Sequence, residues 1–290
     1  MSTQLRSSQR WIVASASCCP GRSSLTIHGA IYSHDTKPAA RGKAGSGCWH
    51  AAVVTPTIAL VGSGEYLDVC RPVDEHLLSL LDIGERSPRV ACLPTAAAKD
   101  GERVWRGWQE RGVAHFTRLG AEAVAVDVID RESAEDDAMT RDIAGADLVY
   151  LSGGKPALLH EILEGTAAWA AILGVLERGG VLAGCSAGAM VQGSHIAGFR
   201  GGAATKGFGL LENTIVLPHF DEFPSLAGDV VKRLIGRGRN VIGVDGATAL
   251  VRHHGLFRVV GRGSVTVWGP NGKARFHDES LPTGTLGDAG

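Results

Sequence analysis

From Thr57 onward, short β-branched apolar runs alternate with segments whose apolar residues recur at the spacing of a helix. Strands that alternate with helices in this way indicate a largely parallel sheet with helices on both faces. We therefore predict an α/β fold, a single three-layer domain with a mostly parallel, doubly wound sheet. The predicted strands lie at residues 57–61, 89–93, 123–128, 147–151, 181–183, 215–217, 241–244 and 248–251.

The remaining elements follow from local signals. Pro72 is a typical first residue of a helix, a second helix is predicted over 102–119, and Ser133 is the predicted N-cap of a third. Residues 257–260 and 264–268 alternate polar and apolar side chains on either side of a Gly-Arg-Gly turn. This pattern predicts an antiparallel hairpin at the edge of the same sheet.

The start of the chain has a different composition. The first 50 residues hold six Lys or Arg and only one Asp or Glu, with much Ser, Gly and Ala and no sustained period. Such a segment has three interpretations: a transit peptide, a secretory or lipoprotein signal, or sequence added by an upstream start codon. We expect residues 1–54 to be a disordered or non-native N-terminal extension, 55–272 to be the α/β domain, and 273–290 to be a C-terminal tail.

Charge and cysteine usage narrow the function classes. Lys and Arg total 29 against 30 Asp and Glu, which gives no basic surplus for nucleic acid or an anionic membrane. Six cysteines occur without a Cys-x-x-Cys pair, which disfavours a zinc ribbon and a disulfide scaffold. We expect a cytoplasmic protein with no metal, no organic cofactor, no nucleic acid and no membrane partner.

Glycine-rich loops follow three of the predicted strands. They lie at residues 62–64, 153–154 and 184–188. In open α/β sheets, ligands bind beyond the carboxyl ends of the strands, so these loops are expected to surround the site.

The third loop carries a Gly-x-Ser-x-Gly pattern centred on Ser186, between a strand and a helix. This is the context of a nucleophile elbow, in which the Ser186 hydroxyl is exposed and the Ala187 amide faces the developing oxyanion. Two alternatives remain, a phosphate-binding loop at a helix N-terminus and a thiol nucleophile at Cys185. The two glycines stand symmetrically about Ser186, which favours the serine over Cys185.

A serine nucleophile requires a base. His219 directly follows a buried-looking strand, which places it at the same sheet edge as Ser186. Asp245 also ends a strand and is the predicted acid that orients the imidazole, with Asp221 and Glu222 as alternatives close to the histidine. The other histidines after the elbow are His195, His253, His254 and His277.

At these residues the chain resembles the dipeptidase E and cyanophycinase family of serine peptidases. The family's fold is similar to that of class I glutamine amidotransferases, a flavodoxin-like architecture. The resemblance implies that Ser186 is the nucleophile, His219 the base, and the amides of Gly154 and Ala187 the oxyanion hole. The matching stretches are IALVGSGE (58–65), LSGG (151–154), GCSAGA (184–189), GFGLL (207–211), HF (219–220), VIGVD (241–245) and TAL (248–250).

The chain departs from the family at two places. Cyanophycinase-like members usually carry Asp-Glu where this chain has Asp245-Gly246, and the Glu completes the triad in those relatives. Lys155 stands where relatives often have Asp or Asn, so an ammonium there favours an acidic group on the substrate or pairs with a local carboxylate. Lys155 and Glu65 are the predicted substrate-binding residues.

These observations predict a serine-type peptidase that hydrolyses short peptides, namely dipeptides or isopeptides containing Asp. Small peptides are the expected partners, and a homodimer is compatible with the sequence. Two other classes stay open: a binding protein whose triad has decayed, since Gly246 lacks the acid, and a thiol-dependent, amidotransferase-like enzyme.

Overall fold

The computed structural model describes residues 55–198, 204–222 and 238–286. The extension predicted over residues 1–54 lies outside these ranges. The described strands are β1 (Thr57–Val61), β2 (Arg89–Leu93), β3 (Glu122–Ala125), β4 (Leu148–Leu151), β5 (Val181–Cys185), β6 (Gly193–Ile196), β7 (Thr205–Lys206), β8 (Leu211–Leu217), β9 (Asn240–Val244), β10 (Thr248–His253), β11 (Leu256–Gly261), β12 (Val265–Gly269) and β13 (Gly272–Phe276).

The first sheet has seven strands in the order β11-β10-β1-β5-β4-β2-β3. Its five strands from β1 to β3 in that order pair in parallel, and β10 and β11 add an antiparallel edge. The prediction of a mixed α/β domain with mostly parallel strands is confirmed for this sheet.

The remaining strands form a second sheet in the order β13-β12-β9-β8-β6-β7, which corrects the prediction of a single sheet. The predicted hairpin between 257–260 and 264–268 is also wrong, because β11 pairs with β10 while β12 pairs with β9 and β13. The physical reason lies in the turn residues. Arg262 N–H donates to the Ala247 carbonyl, and Asp245 N–H donates to the Ser264 carbonyl, so the connection runs alongside the loop after β9 and carries the chain into the second sheet.

The helices are α1 (Arg71–Ser79), α2 (Glu102–Arg118), α3 (Asp137–Ala144), α4 (Pro156–Leu163), α5 (Ala167–Glu177) and α6 (Ala187–Met190). The predicted cap of the third helix is corrected. The Asp136 carboxylate accepts from the amides of Ala138 and Met139 and caps α3, whereas Ser133 begins a separate 3-10 turn. The third strand is also shorter than predicted and ends at Ala125.

Side chains from β1 show how the first sheet is covered on both faces. Ile58 and Leu60 belong to one buried apolar cluster, and Ala59 and Val61 belong to another. Helices α3, α4 and α5 contribute to the first cluster, and α1 and α2 to the second. Two buried faces explain the uninterrupted apolar runs that predicted these strands.

The segment predicted as a C-terminal tail is part of the fold as far as it is described. β13 pairs with β12, and the Leu281 side chain is buried. The Leu281 amide also donates to the Phe257 carbonyl. The packed unit therefore continues beyond residue 272.

Within the described ranges, no helix is by itself long and apolar enough to cross a membrane. α4 and α5 reach that length and hydropathy only when taken together, and they are bent by 93°.

Candidate active site

The three glycine-rich loops come together because β1, β5 and β4 are neighbours in the first sheet. Ser186 follows β5 and precedes α6. Its φ of 51° and ψ of −108° are a conformation that L-residues rarely adopt and that costs roughly 1–3 kcal/mol. The Ser186 amide donates to the Val61 carbonyl at 3.0 Å, which ties this turn to the end of β1.

Close backbone contacts explain the small residues around Ser186. A Cβ added at Gly184 would lie 2.2 Å from the Gly188 carbonyl oxygen, and one at Gly188 would lie 2.4 Å from the Leu151 carbonyl oxygen. Since neither position has room for a side chain, the turn fits tightly against β4.

His219 is brought to Ser186 from the second sheet. It follows β8, and its Nε2 lies 3.0 Å from Ser186 Oγ. Its Nδ1 lies 3.0 Å from Glu222 Oε1. With the ring proton on Nδ1, His219 donates to Glu222 and accepts from the Ser186 hydroxyl, so the three side chains form one hydrogen-bonded series.

The structure does not bring Asp245 to His219, which corrects the predicted third member of the series. The buried Asp245 carboxylate accepts from the Ser264 amide at 2.9 Å and from Arg275 Nη2 at 3.0 Å. These contacts turn the side chain toward β12 and β13. Glu222, named above as an alternative, occupies the place expected for Asp245.

Asp221 connects the histidine turn to the loop after β9. Its Oδ1 accepts from the Gly246 amide at 2.7 Å. A Cβ at Gly246 would lie 2.9 Å from Ser63 Oγ and 3.4 Å from Asp221 Oδ2. Gly246 thus leaves room for Asp221. The 3-10 turn that contains Asp221 also carries Glu222, whose carboxylate lies beside His219, whereas position 246 has no carboxylate.

The two predicted oxyanion donors flank Ser186. Ala187 is the first residue of α6, and Gly154 lies in the loop after β4, against the backbone of Ala96 and Ala97. Across the part of the chain that the structure describes, neither amide donates a hydrogen bond to a protein acceptor. Both are therefore available to a bound oxygen.

Lys155 follows Gly154 at the surface. Its ammonium pairs with the Asp100 carboxylate, and its amide donates to the Ala96 carbonyl at 2.8 Å. The two charged side chains are 55% and 34% exposed. Lys155 thus pairs with a local carboxylate while remaining beside the site.

Glu65 and Cys185 lie beneath the site. Glu65 is 8% exposed, and its carboxyl accepts from the Gly153 amide at 2.9 Å and from the Cys185 thiol at 3.0 Å. The Glu65 carboxyl is therefore buried against Gly153 and Cys185 instead of exposed to solvent, which argues against the predicted direct contact with a substrate. Burial raises the pKa of the fully buried Cys185 thiol well above its usual range, and Glu65 raises it further.

Comparison with known proteins identifies the family. The family model described as Peptidase family S51 matches residues 58–260. The chain belongs to peptidase family S51. This membership confirms the family resemblance drawn from the motifs.

Relatives of this S51 chain include two cyanophycinases, from Trichormus variabilis and a Nostoc species. Each is 31% identical over 173 residues, which cover 55% of this chain and 58% of the relative. The chain thus matches a little over half the length of these curated relatives. A solved peptidase from an acI-B1 Actinobacterium is 33% identical with a TM-score of 0.72, covering 78% of this chain and 96% of the other.

The contact between Glu222 and His219 was predicted only as an alternative to one with Asp245. Glu222 lies three residues after His219, and Phe220–Glu222 form a 3-10 turn in which the Glu222 amide donates to the His219 carbonyl. Because a 3-10 helix has three residues per turn, positions i and i+3 lie on the same side. That spacing was the available signal for Glu222.

Proposed function

We propose that this protein is a serine-type peptidase that hydrolyses short peptides through an acyl-enzyme. The observation that carries the proposal is the series Ser186 Oγ, His219 Nε2, His219 Nδ1 and Glu222 Oε1, with 3.0 Å at each hydrogen bond. A nucleophile, a base and an acid that orients the base are the elements of serine acyl transfer.

In the proposed mechanism, Ser186 attacks the carbonyl carbon of the scissile amide while His219 Nε2 takes the hydroxyl proton. The amides of Gly154 and Ala187 stabilise the tetrahedral oxyanion by donating hydrogen bonds to it. His219 then protonates the leaving amine. A water molecule activated by the same imidazole attacks the acyl-enzyme and regenerates Ser186.

The alternatives draw less support. The decayed-triad hypothesis rests on Gly246, but the Glu222 carboxylate lies at hydrogen-bond distance from His219. The thiol hypothesis requires Cys185 at the surface of the site, whereas its side chain is buried and donates to Glu65. A protonated, buried thiol is a poor nucleophile.

We expect Glu222→Gln to lower kcat by about 10²- to 10³-fold. A glutamine keeps the shape but removes the charge that stabilises the imidazolium, and removal of the orienting acid in serine proteases costs on the order of 10⁴-fold. The Glu222 side chain is 54% exposed, so solvent screening makes the expected loss smaller. Steady-state kinetics of the purified variant measure the effect.

Asp245→Asn is the matched control for Glu222. It removes the charge that pairs with Arg275, so we expect a lower thermal midpoint and a stability loss of about 1–3 kcal/mol. Its kcat should stay within about threefold of the wild type, since the side chain does not contact His219. A larger kcat loss for Asp245→Asn than for Glu222→Gln would contradict the assignment of Glu222.

The proposed substrates are dipeptides or isopeptides that contain Asp, as the family resemblance implies. A panel of Asp-X, X-Asp, β-linked Asp-Arg and uncharged dipeptides, followed by mass spectrometry of the released amino acids, tests this class. Hydrolysis confined to uncharged peptides would reject the substrate class, and no hydrolysis of any peptide would reject the peptidase proposal.

We propose that Lys155 contributes to the preference for an acidic group. Exposed ion pairs contribute at most about 1 kcal/mol, so a substrate carboxylate can compete with Asp100 for the ammonium. We expect Lys155→Ala to raise KM for an Asp-containing peptide by roughly two- to fivefold relative to an uncharged one.

Asp100→Asn provides the opposite change, because it releases the Lys155 ammonium from its partner. This variant should lower KM for the Asp-containing peptide and leave KM for the uncharged one unchanged. If both variants kept the wild-type preference, Lys155 would have no part in substrate recognition.

A further inference from the structure

The Glu65 carboxyl joins the ends of two adjacent strands from beneath. Oε1 accepts from Gly153 N–H after β4, and Oε2 accepts from the Cys185 thiol at the end of β5. Each of these partners directly precedes a residue of the candidate site. Gly153 precedes Gly154, and Cys185 precedes Ser186.

Burial of the Glu65 carboxyl is energetically unfavourable. Its exposed fraction is 8%, and among the described residues no Lys, Arg or His side chain lies within ion-pair distance of it. A buried carboxyl without a cation is destabilising unless its hydrogen bonds compensate. The two bonds of Glu65 run only to the segments that carry the oxyanion donors and the nucleophile.

Gly153 lies between the Glu65 carboxyl and Ser186, so the position of the carboxyl affects the backbone of the site. A Cβ at Gly153 would lie 2.6 Å from Glu65 Oε1 and 3.4 Å from the Ser186 Cβ. The backbone of Gly153 is therefore held between the carboxyl and the serine. A displacement of the carboxyl would move the peptide unit that leads into Gly154.

We propose that Glu65 is a positioning residue that sets the separation between the amides of Gly154 and Ala187. It holds the β4 loop at a fixed distance from the Ser186 turn, so that both N–H groups reach the same oxyanion. Glu65 touches no reacting atom and acts through Gly153 and Cys185. This inference rests on the proposed peptidase function.

The test compares three variants of the full chain by steady-state kinetics and by affinity for a peptide boronic acid, which forms a tetrahedral adduct with a serine nucleophile. Loss of one oxyanion donor costs about 10²- to 10³-fold in kcat. We expect Glu65→Ala to lower kcat by that factor, to weaken boronate binding in parallel, and to change KM by less than about threefold, since ground-state binding is not affected.

Glu65→Gln keeps an oxygen that accepts from Gly153 and preserves the side-chain volume. It should recover kcat and boronate affinity to within about tenfold of the wild type. Glu65→Asp keeps the carboxyl but is one methylene shorter, and it should behave like Glu65→Ala. This shorter variant also tests the proposal if the cavity left by alanine prevents folding.

Asp147→Asn is the matched control, because Asp147 accepts from the Arg89 amide at 2.9 Å just before β4, at the opposite end of that strand from Gly153. It should lower thermal stability without changing kcat or boronate affinity by more than about twofold. A folded Glu65→Ala or Glu65→Asp protein with wild-type kcat and boronate affinity would overturn the proposal. So would a Glu65→Gln protein as impaired as Glu65→Ala.

Different results would reject the peptidase function and the positioning role of Glu65. If the wild-type chain hydrolysed no peptide and bound no boronate, the proposed function would be wrong. If the wild type did both and the Glu65 variants matched it, the peptidase proposal would stand and the role of Glu65 would be wrong.

Discussion

Replacing Ser186 with alanine is expected to lower kcat by on the order of 10⁶-fold and to abolish covalent labelling by a fluorophosphonate. The Ser186 hydroxyl lies 3.0 Å from His219 Nε2, and without it the acyl-enzyme cannot form. Alanine has no other consequence of comparable size, because the Ser186 amide still donates to Val61. Intact-protein mass spectrometry measures the labelling, and progress curves with excess enzyme measure the residual rate.

Ser194→Ala is the matched control for this experiment. Ser194 lies on β6, where its hydroxyl accepts from the Thr214 amide at 3.0 Å. Its loss should reduce stability by about 1 kcal/mol and leave labelling intact. Labelling of the Ser186→Ala protein at the wild-type rate would show that another residue is the nucleophile.

Replacing His219 with alanine is expected to lower kcat by a similar amount, on the order of 10⁵- to 10⁶-fold. In the proposed mechanism the imidazole first takes the Ser186 proton and then protonates the leaving amine. The variant therefore lacks both the general base and the general acid of the reaction. Fluorophosphonate labelling should become slow but still map to Ser186. This result separates the loss of the base from the loss of the nucleophile.

His195→Gln is the matched control for the base. His195 lies on β6, and its ring nitrogen Nδ1 is 2.9 Å from the Ser194 hydroxyl. Its replacement should change kcat by less than about twofold, since the ring does not contact Ser186. A His219→Ala protein that kept a tenth of the wild-type activity would contradict the mechanism.

The first sheet could be predicted from the sequence because its strands are apolar on both faces and most of them are separated by helices. The same reasoning placed Ser186 and the glycine loops at one edge, since the carboxyl ends of parallel strands share an edge. The second sheet could not be predicted in this way. Its strands β6, β7 and β13 were not predicted, and local periodicity carries no information on which strands are partners.

The predicted contact between Asp245 and His219 is absent from the described structure for a related reason. Asp245 ends a strand at the expected edge, but its partner Arg275 lies thirty residues later, in a segment predicted to be a tail. The contact that turns Asp245 away was therefore invisible in the local sequence. Glu222 is fixed by a single 3-10 turn, which is a local feature, and its spacing from His219 contained the required information.

Glu65 shows a different limit. It comes just after a glycine-rich loop and was predicted to bind the substrate. Its actual direction depends on Gly153 and Cys185, which come from two other strands.

The hydrogen bond between Ser186 and His219 joins the two sheets, because the serine follows a strand of the first and the histidine follows a strand of the second. In the proposed mechanism, catalytic turnover therefore depends on how the two sheets pack against each other. A slide of one sheet against the other by a single ångström would separate base from nucleophile while every backbone ladder stayed paired. The proposed nucleophile and both proposed oxyanion donors follow strands of the first sheet, so such a slide would keep these three groups together and remove only the imidazole that carries the proton.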